Sequence, residues 1–499
     1  MNLRVITHLK GCCYFCLYIL CLVPTVVSAE SDSIFTDKLK DHVTIKADND
    51  SGVSESLTLL ECIQLALENN FDLQRARQEI EREGGSFMEA RAFSLPVLQA
   101  TANFERIDEE RLPNFNESAF GANRSWRSDV ELQQPLFLGG EGISRIRRGT
   151  LLKEAAFEGI LAQTNLVLLE VRERFYDVLL ARAQLEVEEQ SVELLKIELD
   201  QEKNKLEAGT VSELNVLRAE VALANARAPF IRARDDLRLA LDELLRVLGL
   251  RHDQLSSGNL KINGSLEGGG VDLDMQSALL AAKELRPEFR QLSLLIKARE
   301  QGIDIERAAF FPTLALFAGY GWESSRFGND LGEIDHGWIA GLRASWRIFD
   351  SFETRGRVIQ ARAEKRISEI ELARERENIE LEVRRAYSSL IEARELVEAS
   401  RKVVAQGEES LRLAKARFDV GSAQQIEVLD AQVALTEART NQIVAFHSKQ
   451  IAIARLEKAT GMQLNWVKVG DSGDSTLAEK SKLSDKSNSG TAGILPANS

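Results

Sequence analysis

The sequence predicts a mainly α protein, internally duplicated, in which long coiled-coil hairpins are joined to four amphipathic β-strands. Three observations predict it. Residues 204–227 (NKLEAGTVSELNVLRAEVALANAR) align with 416–439 (ARFDVGSAQQIEVLDAQVALTEAR) at an offset of 212, with nine of the 24 positions identical. No proline interrupts the chain between Pro135 and Pro229, or between Pro312 and Pro496. Between the helical stretches, four short segments change their apolar period from 3.6 to 2.

The amino terminus comes first in order. Arg4 and Lys10 precede an apolar run from Gly11 to Val23, Pro24 breaks it, and Val27-Ser28-Ala29 offers a small-residue cleavage site, so 1–29 reads as a secretory signal peptide. Its loss takes four of five cysteines and leaves Cys62 alone, which excludes an intrachain disulfide. It also leaves 61 basic against 77 acidic residues, a charge of −16. That acidity and the lack of any basic tract exclude a nucleic-acid binder. A polar segment follows at 30–56. No later run of about 18 apolar residues marks a transmembrane helix, which leaves a periplasmic protein, a secreted one, or a membrane protein built of strands.

The first repeat is expected over 57–255 and the second over 273–462, with the glycine-rich stretch 256–272 as linker. The 212-residue offset also pairs Arg145 with Arg357, Val171-Arg172 with Val383-Arg384, and Ala181-Arg182 with Ala393-Arg394. Pro96 and Pro312 stand 216 apart. Each repeat opens with an amphipathic helical stretch, Leu57 to about Phe93 and Met275 to about Ala309, ended by Pro96 or Pro312. The tail 463–499, rich in Ser, Lys, Asp and Gly, is expected to lack a packed core.

The strands lie at about 95–138 and 311–349. Leu98, Ala100, Ala102 and Phe104 alternate with Gln99, Thr101, Asn103 and Glu105; Trp126, Val130, Leu132 and Leu136 alternate with Arg127, Asp129, Glu131 and Gln133. Leu314, Leu316, Ala318, Tyr320 and Trp322 share one face. Trp338, Ala340, Leu342, Ala344, Trp346 and Ile348 oppose Arg343, Ser345 and Arg347. Polar loops at 107–123 and 323–336 would cap two hairpins. Strands of about ten residues cross a bilayer at a tilt, but four cannot close a barrel, so a barrel demands an oligomer. Soluble hairpins with one face on a core fit the same pattern equally well.

The helical hairpins are expected at about 140–249 and 351–460. In Ile143–Leu206, Leu168, Val171, Phe175, Val178, Leu185, Val192 and Leu199 fall on alternating three- and four-residue steps, interrupted by Arg182, Glu189 and Lys196. Val383, Tyr387, Leu390, Val397, Val404 and Leu411 repeat the frame. That is coiled-coil spacing. Gly209 and Gly421 suit the left-handed position that ends a helix. Thr210-x-x-Glu213 and Ser422-x-x-Gln425 read as capping boxes that start the return helices.

No catalytic or metal-binding constellation is present in the sequence. The five histidines are scattered, and Gly139-Gly140-Glu141-Gly142 lacks a P-loop lysine, so a turn is the simpler reading. Neither an enzyme nor a cofactor is expected.

Together, SLTLLECIQLALENNFDLQRAR (56–77), QPLFLGGEGISRIRRG (134–149) and the tips LEAGTVSELNVLRAEVAL (206–223) and FDVGSAQQIEVLDAQVAL (418–435) resemble the TolC family of outer-membrane efflux proteins, over about residues 57–462. The resemblance implies a homotrimer in the outer membrane of a Gram-negative bacterium. Each chain would give four strands to a shared twelve-stranded transmembrane barrel, continued by a helical tunnel in the periplasm. It implies an exit duct for drugs, metals or proteins, fed by an inner-membrane transporter through a periplasmic adaptor. It further implies that the tips (Gly209, Thr210, Gly421, Ser422) meet the adaptor and close the periplasmic end. By position Glu427 and Asp430 match the acidic pair of the second tip, and Asn215 stands where the first tip often has an acid. Ala423 replaces a basic residue that ties the gate shut in some members. Without the resemblance, Glu427 and Asp430 read as a solvated helix face. A periplasmic coiled-coil scaffold or adaptor that never enters a bilayer is the competing function.

Overall fold

The computed structural model describes residues 56–108, 124–250, 261–271, 273–324, 331 and 334–462. The signal peptide, the 30–55 segment, most of the 107–123 loop, 251–260 of the inter-repeat region and the 463–499 tail lie outside the described residues. In chain order the elements are β1 (Ser56–Leu57), α1 (Leu59–Asn69), α2 (Phe71–Ala92), β2 (Val97–Arg106), β3 (Arg124–Leu138), α3 (Glu141–Glu207) and α4 (Glu213–Leu248). Then follow β4 (Lys261–Ile262), α5 (Met275–Leu285), α6 (Pro287–Arg307), a 3-10 turn (Ala308–Phe310), β5 (Thr313–Ser324), β6 (Ile334–Ser345), α7 (Glu353–Asp419) and α8 (Gln425–Thr460).

The duplication is metrical. Both α3 and α7 have 67 residues, both α4 and α8 have 36, and both α1 and α5 have 11. At 1.5 Å per residue the long helices run about 100 Å. No single globular core buries a helix of that length, and four separate apolar clusters lie along the hairpins instead. The predicted stripe supplies them: Val171, Phe175, Val178 and Leu199 in α3, and Val383, Leu390, Val397 and Leu411 in α7, are all buried.

The opening helical stretches are each broken in two, contrary to the continuous helices expected. Asn70 interrupts the first: its Oδ1 accepts from the amides of Asp72 and Leu73, while its Nδ2 donates to the Val247 carbonyl at 2.8 Å. In the second, Pro287 occupies the first helical position and forces Arg286 into an extended conformation (φ −68°, ψ 121°). Arg286 is 2% exposed, donates to the Lys458 carbonyl at 2.9 Å and pairs with Glu288 and Glu382. The two side chains sit at matching corners, each holding the end of its repeat's return helix. There Gly249 and Gly461 turn the chain with φ of 72° and 71°.

The arginines that interrupt the stripe have structural work. Arg182 donates to the Ile262 carbonyl at 2.7 Å, and Arg394, its counterpart, donates to the Val271 carbonyl. Both tie the inter-repeat segment across the bundle. The same segment pairs in parallel with β1, Leu57 opposite Ile262.

The sheet has the order β2-β3-β5-β6, antiparallel throughout. Phe104 lies opposite Trp126, Val130 opposite Tyr320, and Tyr320 opposite Trp338, which gathers the predicted apolar residues on one continuous face. The other face carries the Arg127–Glu323 ion pair and Arg343 over the Phe317 ring. Three details correct the sequence reading. A bulge between Pro135 and Phe137 takes Leu136 out of the alternation, at a proline that cannot donate to the ladder. The last strand ends at Ser345 rather than 349, because its partner begins only after Pro312, at Thr313. The loop expected at 323–336 is shorter as well, since β5 reaches Ser324 and β6 begins at Ile334.

Candidate functional site: the hairpin tips and the open sheet

Helix α3 ends as the sequence requires. Gly209 takes φ +73°, its amide donates to the Leu206 carbonyl at 2.9 Å, and the Thr210 amide donates to Lys205 at 2.9 Å. The second tip repeats this: Gly421 at φ +73° donates to Phe418, and the Ser422 amide donates to Arg417, both at 2.9 Å. This is the Schellman arrangement, in which a left-handed residue lets the last carbonyls find donors.

The predicted capping boxes are displaced. The Thr210 hydroxyl donates backward to the Lys205 carbonyl (2.9 Å) and the Ser422 hydroxyl to Arg417 (3.0 Å). Each therefore finishes the old helix instead of starting the new one. The return helices begin two residues later, with Ser212 and Gln424 as N-caps. Only the second has a true box, in which the Gln424 amide donates to Glu427 Oε1 at 3.2 Å.

Glu427 is thus engaged, and Arg417 Nη1 also stands 3.3 Å from its other oxygen. Asp430, one turn on, is exposed and joins no ion pair described among these residues. Asn215 is half-buried in the first turn of α4, its amide donating to the Ser212 carbonyl at 3.0 Å. Glu427 and Asp430 share one tip, while Asn215 belongs to the other.

The sequence reading missed the groups that join the two tips. Lys205 Nζ lies 4.7 Å from the centre of the Phe418 ring and 2.8 Å from Glu202 Oε1. Glu202 is fully buried. It falls three residues after Leu199 on the buried stripe, and an acid on that stripe was the available signal. Burial raises the Glu198 carboxyl above its usual range, with the Glu202 charge adding to the effect. Leu429 of the second hairpin packs with Leu195, Leu199 and Val216 of the first.

At the other end, the sheet lies open. Nearly every residue of β2 and β6 is exposed, Trp338 at 79%, and among the described residues each of these strands has one neighbour. Among the described residues no layer covers either face of β6, so the reading of soluble hairpins with one face on a core does not hold. No helix among the described residues is long and apolar enough to cross a membrane.

The family model for outer membrane efflux proteins matches residues 62–250 and 279–462, one segment in each repeat. The chain belongs to the outer membrane efflux protein family. Its members are channel or transporter proteins of the Gram-negative outer membrane, not a known enzyme family. The chain is 26% identical over 414 residues to the alkaline protease secretion protein AprF of Pseudomonas aeruginosa, covering 82% of this chain and 85% of AprF. It is 22% identical over 412 residues to the cobalt-zinc-cadmium resistance protein CzcC of Cupriavidus metallidurans, covering 81% and 90%. The solved CmeC outer membrane channel of Campylobacter jejuni superposes with a TM-score of 0.70 at 17% identity, covering 89% of this chain and 94% of that one. The likeness to CmeC is one of fold. Membership in this family favours the channel over the periplasmic scaffold.

Proposed function

We propose that this outer membrane efflux protein is the passive exit duct of a tripartite export system, assembled as a homotrimer after removal of residues 1–29. The open sheet carries the reading. A transmembrane sheet must leave no unpaired edge in hydrocarbon, and β2 and β6 each present one. Three copies give twelve strands, enough for a closed barrel with the continuous apolar face toward lipid and the face of Arg127, Glu131, Glu323 and Arg343 toward the lumen. Repeats 57–255 and 273–462, joined through 256–272, would alternate around the periplasmic tunnel.

The tips are the candidate periplasmic gate. Gly209, Thr210, Gly421 and Ser422 form its turning points and the contact for a periplasmic adaptor, which links the duct to an inner-membrane transporter. Asp430 is the free carboxylate that cations would meet. Glu427 acts differently: Arg417 of the same tip holds it, in place of the basic residue that Ala423 lacks. The tip is therefore stiffened from within rather than tied to its neighbour at this position.

Planar-bilayer recording tests the reading. The purified protein should conduct only when reconstituted from detergent, and Asp430→Ala should weaken block by divalent cations more than Glu427→Ala does. A protein that purifies from the soluble periplasm and forms no channel would overturn the proposal.

A further inference from the structure

The turn into each long helix takes two successive residues into the left-handed region. In the first repeat these are Gly139 (φ 65°) and Gly140 (φ 91°); in the second they are Ser351 (φ 54°) and Phe352 (φ 68°). The positions correspond at the offset of 212. Among the described residues, Ser351 and Phe352 alone take positive φ without being glycine. A Cβ disfavours that conformation, and glycine serves the same turn without strain. Burial within the chain does not offset the cost. The Phe352 ring is 66% exposed, and it meets edge to face, at 5.9 Å, the ring of Phe349, itself 72% exposed.

The same exchange extends around the turn. In the first repeat Gln134 Nε2 donates to the Ser94 carbonyl at 3.1 Å; at the corresponding place Trp346 Nε1 donates to the Phe310 carbonyl at 3.1 Å. A glutamine thus makes the bond that the indole makes. Backbone geometry and hydrogen bonding match between the repeats, so neither requires the aromatic rings. Phe310, Phe311, Trp346, Phe349 and Phe352 are all half exposed or more. The position of this cluster identifies its partner. It gathers where β6 runs out and α7 begins, the end of the sheet toward the periplasmic helices. Trp346 stands eight residues beyond Trp338, with Leu342 between them. At about 3.3 Å per residue and a tilt of about 40°, that spacing covers roughly 20 Å of bilayer, close to the roughly 25 Å apolar band of a transmembrane barrel. Trp338, beside Tyr320 and Trp322, then marks one boundary of the band and the cluster marks the other. Aromatic rings at such a boundary bury against acyl chains at the level of the headgroups.

We propose that Phe352, with Phe349 and Trp346 beside it, inserts into the lipid boundary on the periplasmic side of the outer membrane, and that the left-handed Ser351–Phe352 turn serves to present this ring to lipid. Strain held at one place in a fold marks a function there, and burial of the ring in lipid supplies the stabilisation that the chain does not. The first repeat has Gly140 instead, so the anchor belongs to the second repeat alone and occurs once per chain. The inference rests on the lipid-facing sheet proposed above and adds where its inner edge is fastened.

Site-directed spin labelling of the protein in phosphatidylethanolamine–phosphatidylglycerol vesicles tests it. Cys62 does not compete for the label, because it is fully buried and its thiol is pushed up to about 12 by burial. Phe352→Cys keeps a Cβ at the left-handed position, and Phe349→Cys supplies a second site. Labels at both should relax faster with oxygen than with a water-soluble nickel chelate, at a shallower depth than a label on Leu342→Cys. Greater access to the chelate at 352 and 349 would place them in water, and access to neither reagent would place them against protein. Either result would overturn the anchor. A label at 342 that favours oxygen would leave the lipid-facing sheet standing in both cases, whereas one that favours the chelate would overturn the sheet reading as well.

Discussion

The two repeats fold to the same lengths yet hold themselves by different chemistry. At the corner where the return helix ends, the first repeat uses the small neutral Asn70, which caps α2 and reaches Val247. The second uses Arg286, which has more donors and draws Glu288 and Glu382 around it. At the tips the second repeat again carries the charged contact: only the second return helix has a capping box and an arginine on its acid. Backbone geometry is common to both copies because the glycines at 209, 421, 249 and 461 need positive φ, which other residues disfavour. Side-chain polar contacts differ because several arrangements satisfy the same backbone groups.

The comparison can be broken most decisively at the corners. Arg286→Ala should cost about 3 kcal/mol, since it strips a nearly buried cation from its carboxylates and two backbone carbonyls. Asn70→Ala should cost about 1–2 kcal/mol for the lost cap. Chemical unfolding of the detergent-solubilised protein measures both, and equal costs would mean that the corners are energetically alike.

Glycine replacement at the same corners should show a smaller difference. Both Gly249→Ala and Gly461→Ala incur about 1–2 kcal/mol for a left-handed alanine. A Cβ at Gly249 would also come within 2.2 Å of the Asn69 carbonyl oxygen, whereas at Gly461 the nearest atom is the Leu285 Cβ at 3.1 Å. The first substitution should therefore lower the melting midpoint more.

At the tips, Glu427→Ala should loosen the start of α8 by about 1 kcal/mol, through its cap and its exposed ion pair. Asn215→Ala, at the equivalent place, should leave the start of α4 almost unchanged. Amide hydrogen exchange over 424–428 and 212–216 would separate the two. Comparable exchange in both variants would remove the asymmetry.

The smallest effect concerns pH. Burial raises the Glu198 carboxyl, so folding favours its protonated form, and its charge costs stability as pH rises above its unfolded-state pKa. Glu198→Gln should therefore stabilise the protein near neutrality and lose that advantage in acid. The second repeat has Ser410 at this position and should lack the dependence. Melting midpoints of Glu198→Gln and parent that run parallel across pH would sink this assignment.

Much of the architecture was legible because it rests on local rules. The helix lengths follow from the missing prolines and the coiled-coil stripe, and the tip turns follow from glycine. The breaks at Asn70 and Pro287 were also local but hidden within an otherwise good helical pattern. The capping roles of Thr210 and Ser422 are not legible in the sequence, because a hydroxyl beside a turn can serve either helix and only the folded turn selects one. The Arg417–Glu427 pair is not legible because neither spacing nor composition shows which exposed side chains a turn brings together, and Glu202 is signalled only by its place on the buried stripe.

The amino-acid sequence alone determined the repeat, the periods of its segments and the family, since each depends on the order of residues along the chain. Only the tertiary structure decided which of two equivalent surfaces is covered. Leu217 and Leu429 occupy matching places in matching helices, and burial separates them because the second repeat has the first to lie against. Burial is a property of what stands beside a residue, and that neighbour is distant in the chain.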